Sequence, residues 1–428
     1  MKIVYLAAGA AGMYCGSCLH DNTLAAALLA RGHDVLLMPT YTPIRTDEAD
    51  VSRPRVFFGG INVYLQQKLS LFRHTPWFMD RVLDAPGLLN LVSKMNSSVD
   101  AARLGDLTVS MLAGEKGHQK KELEKLVAWI GHERPDVVHL SNAMLLGMAG
   151  EIRRLGIPVV CSLSGEDIFL EKLVEPFHSQ ARSELRARAG DADAYIALND
   201  YYARYMADYL GVPRASIDVV QHGLKLDGHS ARVQRPDGVF TIGFFARICH
   251  DKGLHQLVEA FELLAADESL PPLRLRAAGY LHQGDKPYLE GIRQRVARWR
   301  DPSRFEYAGE LDRHAKIAFL HSLDVMSVPT VYRESKGISI LEALANAVPV
   351  VQPAHGAFPE IVADTGGGLL TEPLNPQALA QALRQLILDP AQAAELGRRG
   401  HQAIHSRYRA DTMGDATLDV YRRVTGLA

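Results

Sequence analysis

Cysteine is scarce in this chain, with four among 428 residues. So few thiols cannot form a disulfide framework, and a reducing compartment is the simpler setting. Charge of one sign is not in excess either: 47 Lys and Arg against 49 Asp and Glu leave a formal net charge of -2. A chain so balanced has no basic field for a phosphate backbone, which argues against nucleic acid as a partner. No apolar run approaches the roughly 18 residues that a membrane span needs. Residues 3–8 are apolar after Met1 and Lys2, yet the run is short and soon interrupted by glycines. It reads as a first strand rather than a secretory signal, and the expected location is cytoplasmic. The remainder is an ordinary packed composition, 47% hydrophobic and 22% charged. At roughly 150 residues per domain, the length fits two or three domains.

Short β-branched runs alternate with helical stretches through the first half. Strands are expected at 2–6, 35–38, 137–140, 159–162, 195–198 and 217–220, and helices at 22–31, 120–131, 144–155 and 200–210. Several of the strands are almost wholly apolar, as strands covered on both faces are. Asp200 is the expected cap of the last helix, and Gly211-Val212-Pro213 its stop. Residues 55–67 break the pattern with a hairpin signal at Gly59-Gly60. The aromatic and basic stretch after it, 68–94, reads as an insertion at the edge of the first domain. Residues 225–238 are the expected linker. Alternation then restarts, with strands at 241–245, 273–277, 305–307, 325–328 and 348–351 and helices at 254–266, 288–299, 315–322, 338–345 and 377–388. The expectation is α/β: two Rossmann-like doubly wound domains, 1–228 and 229–410, facing a central cleft, with a last helix in 411–428 crossing back to the first.

Ligands of such sheets bind beyond the carboxyl ends of the strands. The loop after the first strand carries Gly9, Gly12 and Gly16, which let backbone N–H groups approach an anion at a helix N-terminus. Its spacing is not G-x-G-x-x-G, and no acidic residue ends the second strand, so a nicotinamide cofactor is disfavoured. Cys15 and Cys18 with His20 lack a second pair for zinc, and two small residues in a tight loop is the preferred reading. In the second half, Arg247 and Lys252 follow a strand, a spacing that suits a diphosphate: a forked guanidinium beside a point charge. Glu334 and Glu342 bracket Lys336, Gly337 and Ile338. Gly337 opens a helix whose N–H groups face back toward the loop. Eight helical residues rise about 12 Å, too far for two carboxylates to flank one bond as a retaining glycosidase pair does at about 5–5.5 Å. They fit the two ends of an extended ligand better.

Glu334 to Glu342 is the E-x7-E pattern, and with Arg247, Lys252, the run 341–351, Gly356, Pro359-Glu360 and Gly368-Leu369-Leu370 it resembles family 4 of the retaining glycosyltransferases with the GT-B fold. That resemblance implies that Glu334 binds the hydroxyls of a donor sugar and Glu342 the nucleotide ribose. Arg247 and Lys252 would neutralise the departing diphosphate with the N–H groups of Gly337 and Ile338, by electrostatic stabilisation and without a divalent metal. No cofactor is implied beyond the nucleotide-diphosphate-sugar substrate. Lys336 stands where the family usually has an aromatic residue, and it is grouped with the donor-binding residues, as are Gly12 and Gly16. Nearer the acceptor, Ser164-Gly165-Glu166-Asp167 occupies the place of a family motif that begins with histidine. The role of that histidine passes to backbone atoms of Ser164 and Gly165 or to Glu166. The first domain is faintly similar to glycogen synthases. His139 ends its strand as family members often have it.

Asp191-Ala192-Asp193 spells D-x-D, the metal–diphosphate motif of a different glycosyltransferase fold, and here reads as a solvated turn before a strand. The 68–94 insertion either touches a membrane surface peripherally, at its inner face, or packs over the first domain; the second is the more frequent outcome. The leading function is transfer of a hexose to an unidentified acceptor. The rivals are an epimerase or hydrolase acting on the same donor, and a non-catalytic protein that binds it.

Overall fold

The computed structural model describes residues 1–9, 16–54, 56–58, 67, 101–232 and 238–427. The expected hairpin at Gly59-Gly60, the 68–94 insertion, Gly12 and Cys15 lie outside them. The chain divides into two compact units, residues 1–221 with 413–428, and residues 222–412.

The first unit is built on a parallel sheet of six strands: β1 (Lys2–Ala7), β2 (Asp34–Pro39), β3 (Val137–Leu140), β4 (Val159–Leu163), β5 (Ala194–Ala197) and β6 (Ile217–Val219). They lie side by side as β2-β1-β3-β4-β5-β6. Side chains of a strand alternate between faces, and β1 shows what that demands of a central strand. Val4 and Leu6 enter one core with Leu126, Ile130 and Met206, while Ile3 and Tyr5 enter another with Leu28 and Met413. Both faces are covered by helices, so both sets must be apolar.

The C-terminal helix, Ala410–Thr425, supplies Tyr421 to the second of these cores. Its hydroxyl shares a hydrogen bond with His139 Nδ1 at 2.5 Å, and His139 Nε2 meets Ser162 Oγ at 2.7 Å. His139 is wholly buried. Burial first, then the charge of His20, lowers its pKa to about 3, so the ring stays neutral and structural. Tyr421→Phe would leave a buried ring nitrogen without this partner, and is expected to cost the first unit about 1–3 kcal/mol. Denaturant unfolding of the variant checks this, with ligand binding by the second unit unchanged.

The second unit holds β7 (Phe240–Phe245), β8 (Leu273–Ala278), β9 (Phe305–Tyr307), β10 (Val325–Met326), β11 (Val350–Pro353) and β12 (Gly368–Thr371), again all parallel. Their order is β9-β8-β7-β10-β11-β12. Counted within this unit, that is the 3-2-1-4-5-6 arrangement of a dinucleotide-type fold, and it reverses direction between β7 and β10. The stretch expected as a linker is fastened to this unit in its described part. Arg232 Nη1 donates to Asp324 at 2.6 Å, and Arg313 Nη2 donates to the Lys225 carbonyl oxygen at 2.6 Å.

Three local expectations are corrected. The helix expected over 144–155 is a 3-10 stretch, Ala143–Met148, followed by a short α-helix, Ala149–Arg153. A Cβ on Gly147 would stand 2.1 Å from the Met111 carbonyl oxygen, so a neighbouring backbone crosses too close for a regular helix with side chains there. The cap of helix Asp200–Leu210 is Asn199, whose side chain accepts from Tyr202 N, while Asp200 pairs with Arg204 and Arg214. Helices Phe177–Arg188, Phe358–Thr365 and Pro390–Arg407 are additions to the elements expected from the sequence.

Candidate functional site

The reversal between β7 and β10 fixes which loops can meet. Leaving β7, the chain passes Arg247 and makes a short 3-10 turn, His250–Lys252, before Gly253 opens helix Leu254–Ala265. Leaving β10, it runs through residues 327–337 to helix Ile338–Ala345. The two loops are pinned together: Val331 N donates to the Asp251 carbonyl at 2.9 Å, and a Cβ on Gly253 would lie 1.8 Å from Pro329 O. A third loop, after β11, braces the second, because Ala357 N donates to Glu334 O at 2.7 Å.

That frame brings Lys252 and Glu334 together. Lys252 Nζ donates to Glu334 Oε2 at 2.6 Å and to the Tyr332 hydroxyl at 2.5 Å, and Tyr332 donates to the same Oε2 at 2.8 Å. The Lys252 and Glu334 side chains are only 20% and 10% exposed, so this charge pair is shielded from water. Burial alone would raise the Glu334 carboxyl; the charge and hydrogen bonds of Lys252 overcome it, with Tyr332 and Lys336 N assisting, and hold it at about 2. Burial would likewise lower Lys252, and the Glu334 charge keeps it well above its usual value instead. Burial and then the Glu334 charge raise the Tyr332 phenol, so it remains a neutral donor. Tyr332 is absent from the residues that the sequence singles out. Its only signal there is its place two residues before Glu334.

Gly337 takes φ 68°, a left-handed conformation that suits glycine, and hands the chain to helix Ile338–Ala345. Lys336 is half-buried and its backbone N–H donates to Glu334 Oε1 at 3.2 Å. Arg247 is exposed and its Nε donates to Cys249 Sγ at 3.3 Å. Glu342, one turn and more into the helix, has a cation of its own: it pairs with Lys316 at 2.6 Å, and both side chains are almost fully buried. Lys316 comes from helix Arg313–His321, and the sequence does not single it out either.

In the first unit, the carboxyl ends of β3 and β4 hold the second set of candidates. The Glu166 side chain is turned inward, where Oε1 accepts from Ala143 N at 3.1 Å and Oε2 from Ser164 N at 2.6 Å. Burial raises its pKa against the backbone N–H groups of Glu166 itself, Ser164 and Ala143, which lower it. Ser164 Oγ donates to Ser141 O at 3.3 Å, Gly165 N to the Tyr202 hydroxyl at 2.9 Å, and Tyr202 to Asp167 at 2.5 Å. So Glu166 shapes the turn that presents Ser164 and Gly165. Gly16 begins helix Gly16–Ala30. Asp191 and Asp193 are answered by Arg188 and Arg153, at 3.6 and 3.0 Å, and Asp193 also accepts from Val159 N at 2.8 Å: the turn expected of this D-x-D.

Residues 22–223 match the family described as Glycosyl transferase 4-like domain, and residues 228–403 match Glycosyl transferases group 1. The chain belongs to the group 1, family 4-like glycosyltransferases. Among curated relatives, this glycosyltransferase is 26% identical to glycogen synthase of Mycobacterium tuberculosis over 292 residues, 67% of this chain and 69% of that one. Among solved structures it is similar to sucrose-phosphate synthase of Thermosynechococcus elongatus, with a TM-score of 0.73 at 17% identity over the whole of both chains. It is also similar to Anabaena HepE in complex with UDP-glucose, with a TM-score of 0.65 at 17% identity, covering 99% of this chain and all of the other. These likenesses give the glycosyltransferase its GT-B fold, and its family uses nucleotide-sugar donors. No helix among the described residues is long and apolar enough to cross a membrane.

Proposed function

We propose that the enzyme transfers a hexose, with retention of configuration and without a divalent metal, from a nucleotide diphosphate sugar to an acceptor. The observation that carries this reading is the shielded Lys252–Glu334 pair, 2.6 Å apart, at the point where the second sheet reverses direction. Such a point is where open α/β sheets bind nucleotides. Lys252 and Arg247 are the diphosphate ligands, and together they offset its charge as the sugar departs. The N–H groups of Gly337 and Ile338, at the start of a helix, add to that field. Glu334 takes the hydroxyls of the sugar, with Lys336 beside it. Glu342, steadied by Lys316, takes the ribose. Gly12 and Gly16 are assigned to donor binding as well, through backbone N–H groups. Ser164 and Gly165, backed by Glu166 and Asp167, serve the acceptor side through their backbone atoms. The HepE structure was solved with UDP-glucose, which makes UDP the first nucleotide to try.

Thermal stability against UDP, GDP, ADP, dTDP, NAD and NADP tests the donor. A ligand at a hundred times its dissociation constant adds about 2.7 kcal/mol. One nucleoside diphosphate should stabilise the protein, and stabilisation by NAD or NADP alone would overturn the reading. With the donor identified, turnover is expected to be unchanged by EDTA, and the product anomer, read by NMR, should match that of the donor. An inverted product or a chelator-sensitive rate would remove the corresponding part of the proposal.

A further inference from the structure

Glu334 enters that reading with no acceptor position to spare. Its Oε1 takes the N–H groups of Ser335 at 3.1 Å and Lys336 at 3.2 Å. Its Oε2 takes Lys252 Nζ at 2.6 Å and the Tyr332 hydroxyl at 2.8 Å. An ionised carboxylate offers about four lone-pair sites, so a sugar hydroxyl can donate to Glu334 only when one of these donors leaves. The two backbone donors belong to the turn that Ala357 braces, where a Cβ on Gly356 would already stand 2.4 Å from Glu334 O. Moving them means rebuilding that turn. Tyr332 reaches Oε2 from two residues away, and its raised pKa keeps the proton in place. Lys252 differs from the other three. Its charge sits on a flexible four-carbon stem, and a diphosphate is a stronger anionic partner than a single carboxylate.

We propose that donor binding is a hand-off: Lys252 leaves Glu334 for the diphosphate, and the acceptor position it vacates takes a hydroxyl of the donor sugar while Tyr332 keeps the carboxylate in place. This rests on the reading of Lys252 as a diphosphate ligand. Its consequence is a coupling between the two ends of the donor. The nucleoside diphosphate competes with Glu334 for Lys252, and the sugar end opens only once the phosphate end is filled. A free hexose meets a carboxylate whose positions are occupied, so the site selects sugars that carry the diphosphate.

A double-mutant cycle tests it, with calorimetric binding of UDP, GDP, ADP and dTDP to the full-length protein, Lys252→Ala, Glu334→Gln and the double variant. The nucleotide that binds should bind Glu334→Gln at least about fivefold more tightly than the unaltered protein, because Lys252 is released. In the Lys252→Ala background the same substitution should change affinity by less than about twofold. Equal tightening in both backgrounds would reduce the effect to the loss of a negative charge and overturn the hand-off. So would no tightening at all. If Lys252→Ala alone bound the nucleotide as well as the unaltered protein, or none of the four nucleotides bound, the reading of the site would fail and the hand-off with it. Loss of binding in Lys252→Ala without the coupling sinks the hand-off alone.

Discussion

Lys252→Ala is expected to weaken nucleoside diphosphate binding by at least about tenfold and to destabilise the second unit by about 3 kcal/mol at neutral pH. The two losses have separate causes. Binding loses a point charge that the diphosphate would otherwise meet. Stability falls because Glu334 is left as a buried carboxylate whose charge has lost its counterpart, and breaking a buried pair from one side costs more than the pair is worth. The pH dependence identifies the second cause. Glu334 is depressed to about 2 in the folded protein, so its contribution is complete above the ordinary carboxylate pKa of about 4.3 and is lost as the pH falls toward the folded value. Lys252 is raised, so its contribution is complete below about 10.4 and is lost as the pH rises through its folded value. The stability gap between the unaltered protein and the variant should therefore be widest between about pH 5 and 10 and narrow on acidification. Urea unfolding at neutral pH and near pH 3 measures it. A gap that did not shrink in acid would show that the variant loses packing rather than a charge pair.

Much of this candidate site is legible in the sequence because the chemistry we propose for it is carried by side chains at fixed offsets. Arg247 and Lys252 follow a strand, and Glu334 and Glu342 stand eight residues apart around a glycine, a pattern whose meaning survives without knowing what lies nearby. Tyr332 and Lys316 are not legible. Each matters through a partner, Glu334 two residues on from Tyr332 or Glu342 26 residues on from Lys316; proximity to Glu334 is all that marks Tyr332, and nothing in the local sequence marks Lys316. The inward turn of Glu166 is hidden for the same reason, since the groups that hold it include Ala143 N, 23 residues upstream.

The fold divides along similar lines. β1 through β5 are readable because strands buried on both faces must be apolar throughout. Helix Phe177–Arg188 is hard to read because it buries only Ala181 and Leu185, and the rest of it, Phe177 and Ala187 apart, is polar. Helix Pro390–Arg407 buries chiefly Ala and Gly, among them Ala393, Gly397 and Gly400. A Cβ on Gly397 would stand 2.3 Å from Ala347 O, so this helix is chosen for close approach rather than for bulk. Hydrophobic periodicity does not register a face of that kind.

Close approach also carries the second large effect. Gly253→Ala is expected to cost the second unit at least about 2 kcal/mol more than Gly309→Ala, and to abolish nucleoside diphosphate binding where Gly309→Ala does not. Both glycines hold left-handed backbone, at φ 79° and 80°, so an added Cβ strains each by about 1–2 kcal/mol. What differs is the space. Nothing lies within 4 Å of a Cβ at Gly309, whereas at Gly253 it would be 1.8 Å from the Pro329 carbonyl oxygen and 2.7 Å from its carbon. Those are backbone atoms, so no side chain can swing aside, and the loops after β7 and β10 must part. Lys252 is the residue immediately before the wedge, and its ammonium must stay within 2.6 Å of Glu334 on the opposite loop. Thermal unfolding of both variants, with and without the nucleotide, separates strain from separation. Equal losses at the two glycines would mean that the loops can part at little cost, and that the length of the Lys252 side chain, rather than the contact at Gly253, sets the charge pair.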